Sequence, residues 1–127
     1  MSFICSLKNQ KEFNFVNRHG HKEYSSLFIL ILSSEISLFK KSYKDVIFLG
    51  LKVSKNFSRK AVVRNKMRRR IKHLINLLAT DTVLKLNGKA LIIIPKLGLN
   101  KIKFIALQNL IRKKILDINS SSKDHVI

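Results

Sequence analysis

The sequence predicts an α/β fold, an α+β two-layer sandwich in which helices cover a small sheet. Three observations carry this. Short apolar runs of strand length are interspersed with stretches whose apolar residues recur every three or four positions, and that mixture calls for helices packed on a sheet. The hydrophobic fraction is 46%, enough for a core and too high for a disordered basic tail. The length, 127 residues, suits one domain. Residues 1–127 therefore read as a single unit, with an ordered core over about 6–118 and a frayed polar tail over 119–127.

The elements follow in order. Asn9 to Arg18 reads as a first helix, with Phe13 and Val16 on one face and Gly20 in the left-handed position after it. A short strand near Tyr24 is compatible with the pattern. Leu27 to Leu32 is six apolar residues in a row, as in a buried strand. Ser33 to Asp45 is more polar and reads as a connection exposing Lys40, Lys41 and Lys44. Val46 to Ser54 is extended, and in its second half Leu49, Leu51 and Val53 alternate with Gly50 and Lys52. From Lys60 to Leu78 a helix stripe appears, with Val63, Met67, Ile71, Leu74 and Leu78 spaced 4, 4, 3 and 4 apart. Gly88 precedes a strand over Lys89 to Ile94, which Pro95 stops. Phe104, Leu107, Ile111, Ile115 and Ile118 mark a last amphipathic helix, ended by Asn119 in the left-handed position.

Lys and Arg number 26 against 7 Asp and Glu, a formal net charge of +19. Solubility needs far less, about 2–8 charges in a small designed domain. Self-repulsion of this size disfavours a compact chain and a polyanion relieves it, so nucleic acid is the expected partner. The charge is concentrated: between Lys52 and His73 lie ten basic residues and no acidic one. On a helix Arg68 neighbours Lys72, and Lys66 neighbours Arg69 and Arg70. Each such pair costs roughly a few tenths of a kcal/mol. A row of phosphates offsets that cost. Arginine's planar fork matches phosphate oxygens and stacks on bases, lysine adds a point charge, and Asn65 offers neutral hydrogen bonds. A merely solvated helix face is usually mixed in sign, and this one is not.

Other chemistries find little support. Cys5 is the single cysteine, so an internal disulfide or a cysteine-based zinc site is not expected, and a reducing cytoplasm is the natural compartment. The longest apolar run is far short of the roughly 20 residues that span a bilayer. Met1 to Leu7 lacks the features of a signal peptide. The carboxylates are scattered, and His19 and His21 lack a third ligand. No catalytic residue, metal ligand or cofactor of the protein alone is expected.

The motif residues carry a resemblance. Gly50-Leu51-Lys52-Val53-Ser54-Lys55, then Ala61-Val62-Val63-Arg64-Asn65-Lys66-Met67-Arg68-Arg69-Arg70-Ile71-Lys72, is similar to the signature of the bacterial ribonuclease P protein family. That signature is a glycine-hydrophobic-x-Val-Ser-Lys strand, then an Ala-Val-x-Arg-Asn segment opening a basic helix. Leu7-Lys8, Phe13, Val16, Gly20 and Phe28 fit the family's upstream spacing, and Ala90 to Ile94 and Phe104 to Leu116 resemble its last strand and helix. The likeness covers roughly residues 6 to 116. Three positions depart from it: Lys66 stands where arginine is usual, His73 where an acidic residue is common, and Asn17 where a large apolar or aromatic residue is frequent.

The resemblance implies a mostly antiparallel sheet with a left-handed β-α-β crossover through the basic helix, against the usual right-handed rule. It also implies a role: protein subunit of ribonuclease P, an endoribonuclease that removes the 5′ leader of precursor tRNA. Its RNA, with Mg²⁺, carries the chemistry. Arg64, Asn65, Lys66, Arg68, Arg69 and Lys72 would then face the catalytic RNA. Single strands bind by aromatic stacking in a positive groove, so Phe13 and Phe28, with Lys52 beside them, are the leader-binding candidates. Phe15 is a weaker one, being off the Phe13/Val16 face. The implied partners are ribonuclease P RNA and precursor tRNA, with no membrane and no obligate protein partner. A structural RNA-binding protein of the ribosomal type is the alternative; Arg64-Asn65 following Val53-Ser54-Lys55 favours ribonuclease P. A DNA regulator would want two short helices joined by a tight turn, and here a strand precedes the basic helix. A membrane-surface helix needs a free apolar face, which this sheet requires as a cover.

Overall fold

The computed structural model describes residues 3–34 and 46–124. Lys40, Lys41 and Lys44 lie outside the described residues. Five strands are formed: β1 (Phe3–Ser6), β2 (His21–Tyr24), β3 (Phe28–Ser33), β4 (Val46–Leu51) and β5 (Ala90–Pro95). Three helices accompany them: α1 (Gln10–His19), α2 (Ala61–Leu78) and α3 (Phe104–Asp124). The expected helices and strands are all present; β1 is an addition, and the segment near Tyr24 is the strand β2.

One sheet runs in the order β1-β4-β5-β3-β2. β1 pairs with β4, and β4 with β5, in parallel, whereas β3 pairs antiparallel with both β5 and β2. The sheet is therefore mixed rather than mostly antiparallel. Its side chains alternate between faces. Phe48, Ile92 and Ile31 meet Val16 and Phe13 of α1, while Ile47, Leu49, Leu91, Ile93 and Leu30 meet α2 and α3. Both faces are covered, so the sandwich has three layers, not the expected two. This explains the continuous apolar runs of β3, β4 and β5, since strands buried on both sides lose the polar alternation.

Hydrogen bonding fixes the hand of the crossovers. Even-numbered residues of β4 bond toward β5, as in Phe48 N–H to Lys89 O (3.0 Å) and Gly88 N–H to Val46 O (2.8 Å). Those same residues point toward α1. For L-residues this puts β5 to the right of β4 when the sheet is viewed from the α1 side with β4 running upward. α2 passes behind, so β4-α2-β5 is left-handed. β1-α1-β2 moves in the same direction across the near face and is right-handed. The expected exception to the handedness rule is present.

The helix ends depart from expectation in two places. Asn9 caps α1, its side chain accepting the Glu12 N–H at 3.0 Å. Gly20, however, is extended (φ −87°), not left-handed. Its role is close approach: a Cβ there would lie 2.5 Å from Ile31 Cγ2 and 2.7 Å from Val16 O. Asn119 likewise does not end α3, which continues to Asp124. Its Nδ2 donates to Leu84 O at 2.9 Å, so its side chain ties the helix to the segment before β5.

Candidate nucleic-acid interface

α2 follows the stripe. Met67, Ile71, Leu74, Ile75 and Leu78 are buried, and Asn65, Lys66, Arg68, Arg69, Lys72 and His73 are exposed. No acidic residue occupies the first turn, and Lys60 gives no side-chain cap. Cations at the positive end of a helix dipole are unfavourable, so the start of α2 lacks both of these usual sources of helix stability.

The basic side chains divide into two groups. Three brace the protein. Arg64 Nη1 donates to Ser58 O and Arg59 O, both at 3.0 Å, closing the loop that precedes α2. Arg68 donates to Val53 O at 3.2 Å and to Asn65 Oδ1 at 2.8 Å, which links the end of the β4 segment to the helix. Arg70 donates to Asn100 O and Ile102 O, and its guanidinium lies 6.0 Å from the centroid of the Phe104 ring. His73 packs beside the same ring at 5.6 Å. Lys66, Arg69 and Lys72 make no hydrogen bond or ion pair among the described residues and point their full donor sets outward. Arg64 and Arg68 keep some donors, since a guanidinium carries five.

Phe13 is half-buried on α1 and sits against Gly50 of β4. A Cβ at Gly50 would be 2.6 Å from Phe13 Cε1 and 2.6 Å from Leu7 Cδ1. The glycine of the strand motif is thus the seat of the Phe13 ring. Lys52 Nζ stands 5.2 Å from that ring's centroid, a cation over an aromatic face. Phe28 is a correction: it is 0% exposed, on the opposite face of the sheet, packed in the core under α2 and α3. It cannot offer a ring to a bound strand.

The sheet edge joins the two predicted surfaces. β1 pairs with β4 only as far as Ser6 opposite Leu49, so β4 has an open edge beyond. There a cleft of about 400 Å³ is lined by Ser6, Leu7, Leu49 and Leu51 together with Phe13 from α1 and Arg68, Arg69 and Lys72 from α2. Ser6, Leu7 and Leu51 are not among the site residues expected from the sequence; four-residue β1 left too short a pattern to reveal the edge it forms. Phe13, Arg68, Arg69 and Lys72 are brought together, with Lys52 against the Phe13 ring. Lys66 and Asn65 lie on the helix outside this cleft, and Phe28 does not line it.

Among the described residues, no helix is long and apolar enough to cross a membrane. Comparison with known proteins gives consistent matches. Residues 1–118 match the Ribonuclease P family. The Ribonuclease P protein component of Rickettsia bellii is 46% identical over 121 residues, covering 95% of this chain and 99% of the relative. That of Rickettsia prowazekii is 45% identical over 113 residues, covering 89% and 93%. The fold is similar to the RNase P protein of Staphylococcus aureus (TM-score 0.68, 21% identity, 90% of this chain and 94% of that one). It is also similar to that of Thermotoga maritima (TM-score 0.60, 20% identity, 88% and 92%).

Proposed function

As this chain belongs to the bacterial ribonuclease P protein family, we propose which of its surfaces serve the ribonucleoprotein. The chain is a subunit of the ribonuclease P endoribonuclease, which matures tRNA 5′ ends with ribonuclease P RNA. Asn65, Lys66, Arg68, Arg69 and Lys72 of α2 bind that RNA, with Arg64 holding the helix start in place. The cleft at the open edge of β4 takes the 5′ leader of precursor tRNA, with Phe13 as the stacking ring and Lys52 beside it. One observation supports this above others: Phe13 and the α2 cations line a single cleft. An aromatic wall beside a positive rim is what an unpaired strand requires.

The protein's part is binding and orientation. Neutralising phosphates raises the affinity of the RNA for its substrate and reduces the Mg²⁺ it needs. Mg²⁺ belongs with the RNA. Precursor tRNA is the substrate partner, no further protein is required, and the site of work is the cytoplasm.

The test is reconstitution. Purified protein, ribonuclease P RNA and labelled precursor tRNA are mixed at low Mg²⁺. Cleavage at the 5′ end should require both protein and RNA, and Phe13→Ala should weaken binding of precursor more than of mature tRNA. Equal loss for both would overturn the leader site. Tight binding of structured RNA with no gain in cleavage would favour the ribosomal-type alternative.

A further inference from the structure

We propose that Lys85, Lys89 and His21 form a phosphate-binding site, separate from the Phe13 cleft and from the cations of α2. They line a cleft of about 170 Å³ together with Ser34 and Asn119, over an aliphatic floor of Leu32 and Ile118. The sheet brings these residues together. His21 opens β2 opposite Leu32 of β3. Ser33 pairs with Ala90, so Ser34 and Lys89 come next to each other just past that ladder. Lys85 and Lys89 belong to the loop that enters β5. Asn119 of α3 fixes this loop, its Nδ2 donating to Leu84 O at 2.9 Å and its Oδ1 accepting from Lys89 Nζ at 3.4 Å. No residue is shared with the Phe13 cleft. The strand order puts that cleft on the β1/β4 side of the sheet and this one on the β2/β3 side.

The chemistry of this cleft selects its occupant. No carboxylate is among the described residues that line it, so the two lysines face each other uncompensated. Lys89 is half-buried, and burial pushes its ammonium below the ordinary value of 10.5, with the charge of Lys85 adding to the effect. An anion reverses both costs. Lys85 holds a left-handed conformation (φ 53°), which glycine or asparagine adopts more easily; the loop carries a cation there instead. The donors are available. An ammonium has three, and Lys89 gives one to Asn119. The side chains of Lys85 and His21 make no hydrogen bond or ion pair among the described residues. No phenylalanine or tyrosine lines the cleft, so a base finds no such ring to stack on, whereas phosphate oxygens find several donors. A backbone phosphate of RNA is the occupant that the family assignment favours, and a free phosphate offers the same chemistry. Only that choice of source rests on the RNA-binding reading.

The test titrates the ¹⁵N-labelled full chain with inorganic phosphate, against sodium chloride of equal ionic strength, and follows amide shifts residue by residue. Saturating shifts are expected at Lys85, Gly88, Lys89 and Asn119. Lys85→Gln alters an exposed side chain and should weaken binding at these amides about tenfold, the loss of one charged hydrogen bond. Lys113→Gln removes the same charge from an exposed position on α3 outside the cleft and should leave it unchanged. The site is overturned if phosphate gives no saturating shift at these amides, or if Lys113→Gln weakens it as much as Lys85→Gln. A second arm acetylates lysines with and without ribonuclease P RNA and precursor tRNA. Protection of Lys85 and Lys89 assigns the site to a backbone phosphate; phosphate-induced shifts without protection assign it to a free one. The phosphate arm needs no RNA, so the site and the proposed function fall separately.

Discussion

Gly50 shows how one missing side chain positions a functional one. The Phe13 ring rests on its backbone, and so does Leu7. Gly50→Ala should push Phe13 outward and lower stability by about 1–3 kcal/mol, the usual cost of overpacking. Denaturant unfolding would check the stability, and precursor-tRNA affinity should fall with it. A stable variant with unchanged affinity would show that the ring does not depend on this seat. Phe13 and Phe28 look alike in the sequence as aromatics on the apolar faces of predicted elements. They differ in the face each residue takes, which depends on strand partners far along the chain. Similarly, ten basic residues read as one interface, yet Arg64, Arg68 and Arg70 spend donors on backbone carbonyls. Those acceptors lie up to 32 residues away, and no local spacing announces them.

At the scale of elements, α2 was readable because its stripe repeats over about four turns and its polar face has one sign. β1 was not, since four residues give no period. Asn119 departs from its expected role because asparagine suits both a left-handed stop and, as here, a side-chain bond from inside a helix. Two predictions belong to elements. Arg69→Ala with Lys72→Ala should reduce the slope of log affinity against log salt by about 0.7–0.9 per lost phosphate contact; titration of ribonuclease P RNA at several salt concentrations would measure it. An unchanged slope would remove α2 from the electrostatic contact. The second concerns Asp81, just past α2, and Arg112 of α3, paired at 2.9 Å. The hydrogen bond from Arg112 holds the Asp81 carboxyl below its ordinary value of 3.8. A depressed carboxylate stabilises the fold above its unfolded value, and that contribution disappears as pH falls through the folded value. The small stability advantage of wild type over Arg112→Met should therefore be present at neutral pH and vanish in strong acid. An advantage independent of pH would point to packing by the arginine stem instead.

For the whole molecule, the fold class and its left-handed crossover were accessible from the sequence through the motif resemblance. The three layers and mixed pairing were not, because they depend on β1 and on strand order. The charge has a consequence at this scale. With +19 and 7 acidic residues in all, self-repulsion opposes compactness, and added salt screens it. The melting temperature should rise as NaCl increases from low concentration, in the absence of RNA. A flat or falling dependence would mean that the cations are spaced widely enough to cost little.

The strand order also sets a timetable for synthesis. Chains emerge N-terminus first. Until β5 appears, β1 can join only β4, and β2 only β3, leaving two separate half-sheets. β5 is the keystone that pairs with both β4 and β3. The ribosome thus releases the basic helix before the strand that would give it a finished surface to cover, and for that interval nascent α2 is an uncommitted cationic segment beside ribosomal RNA.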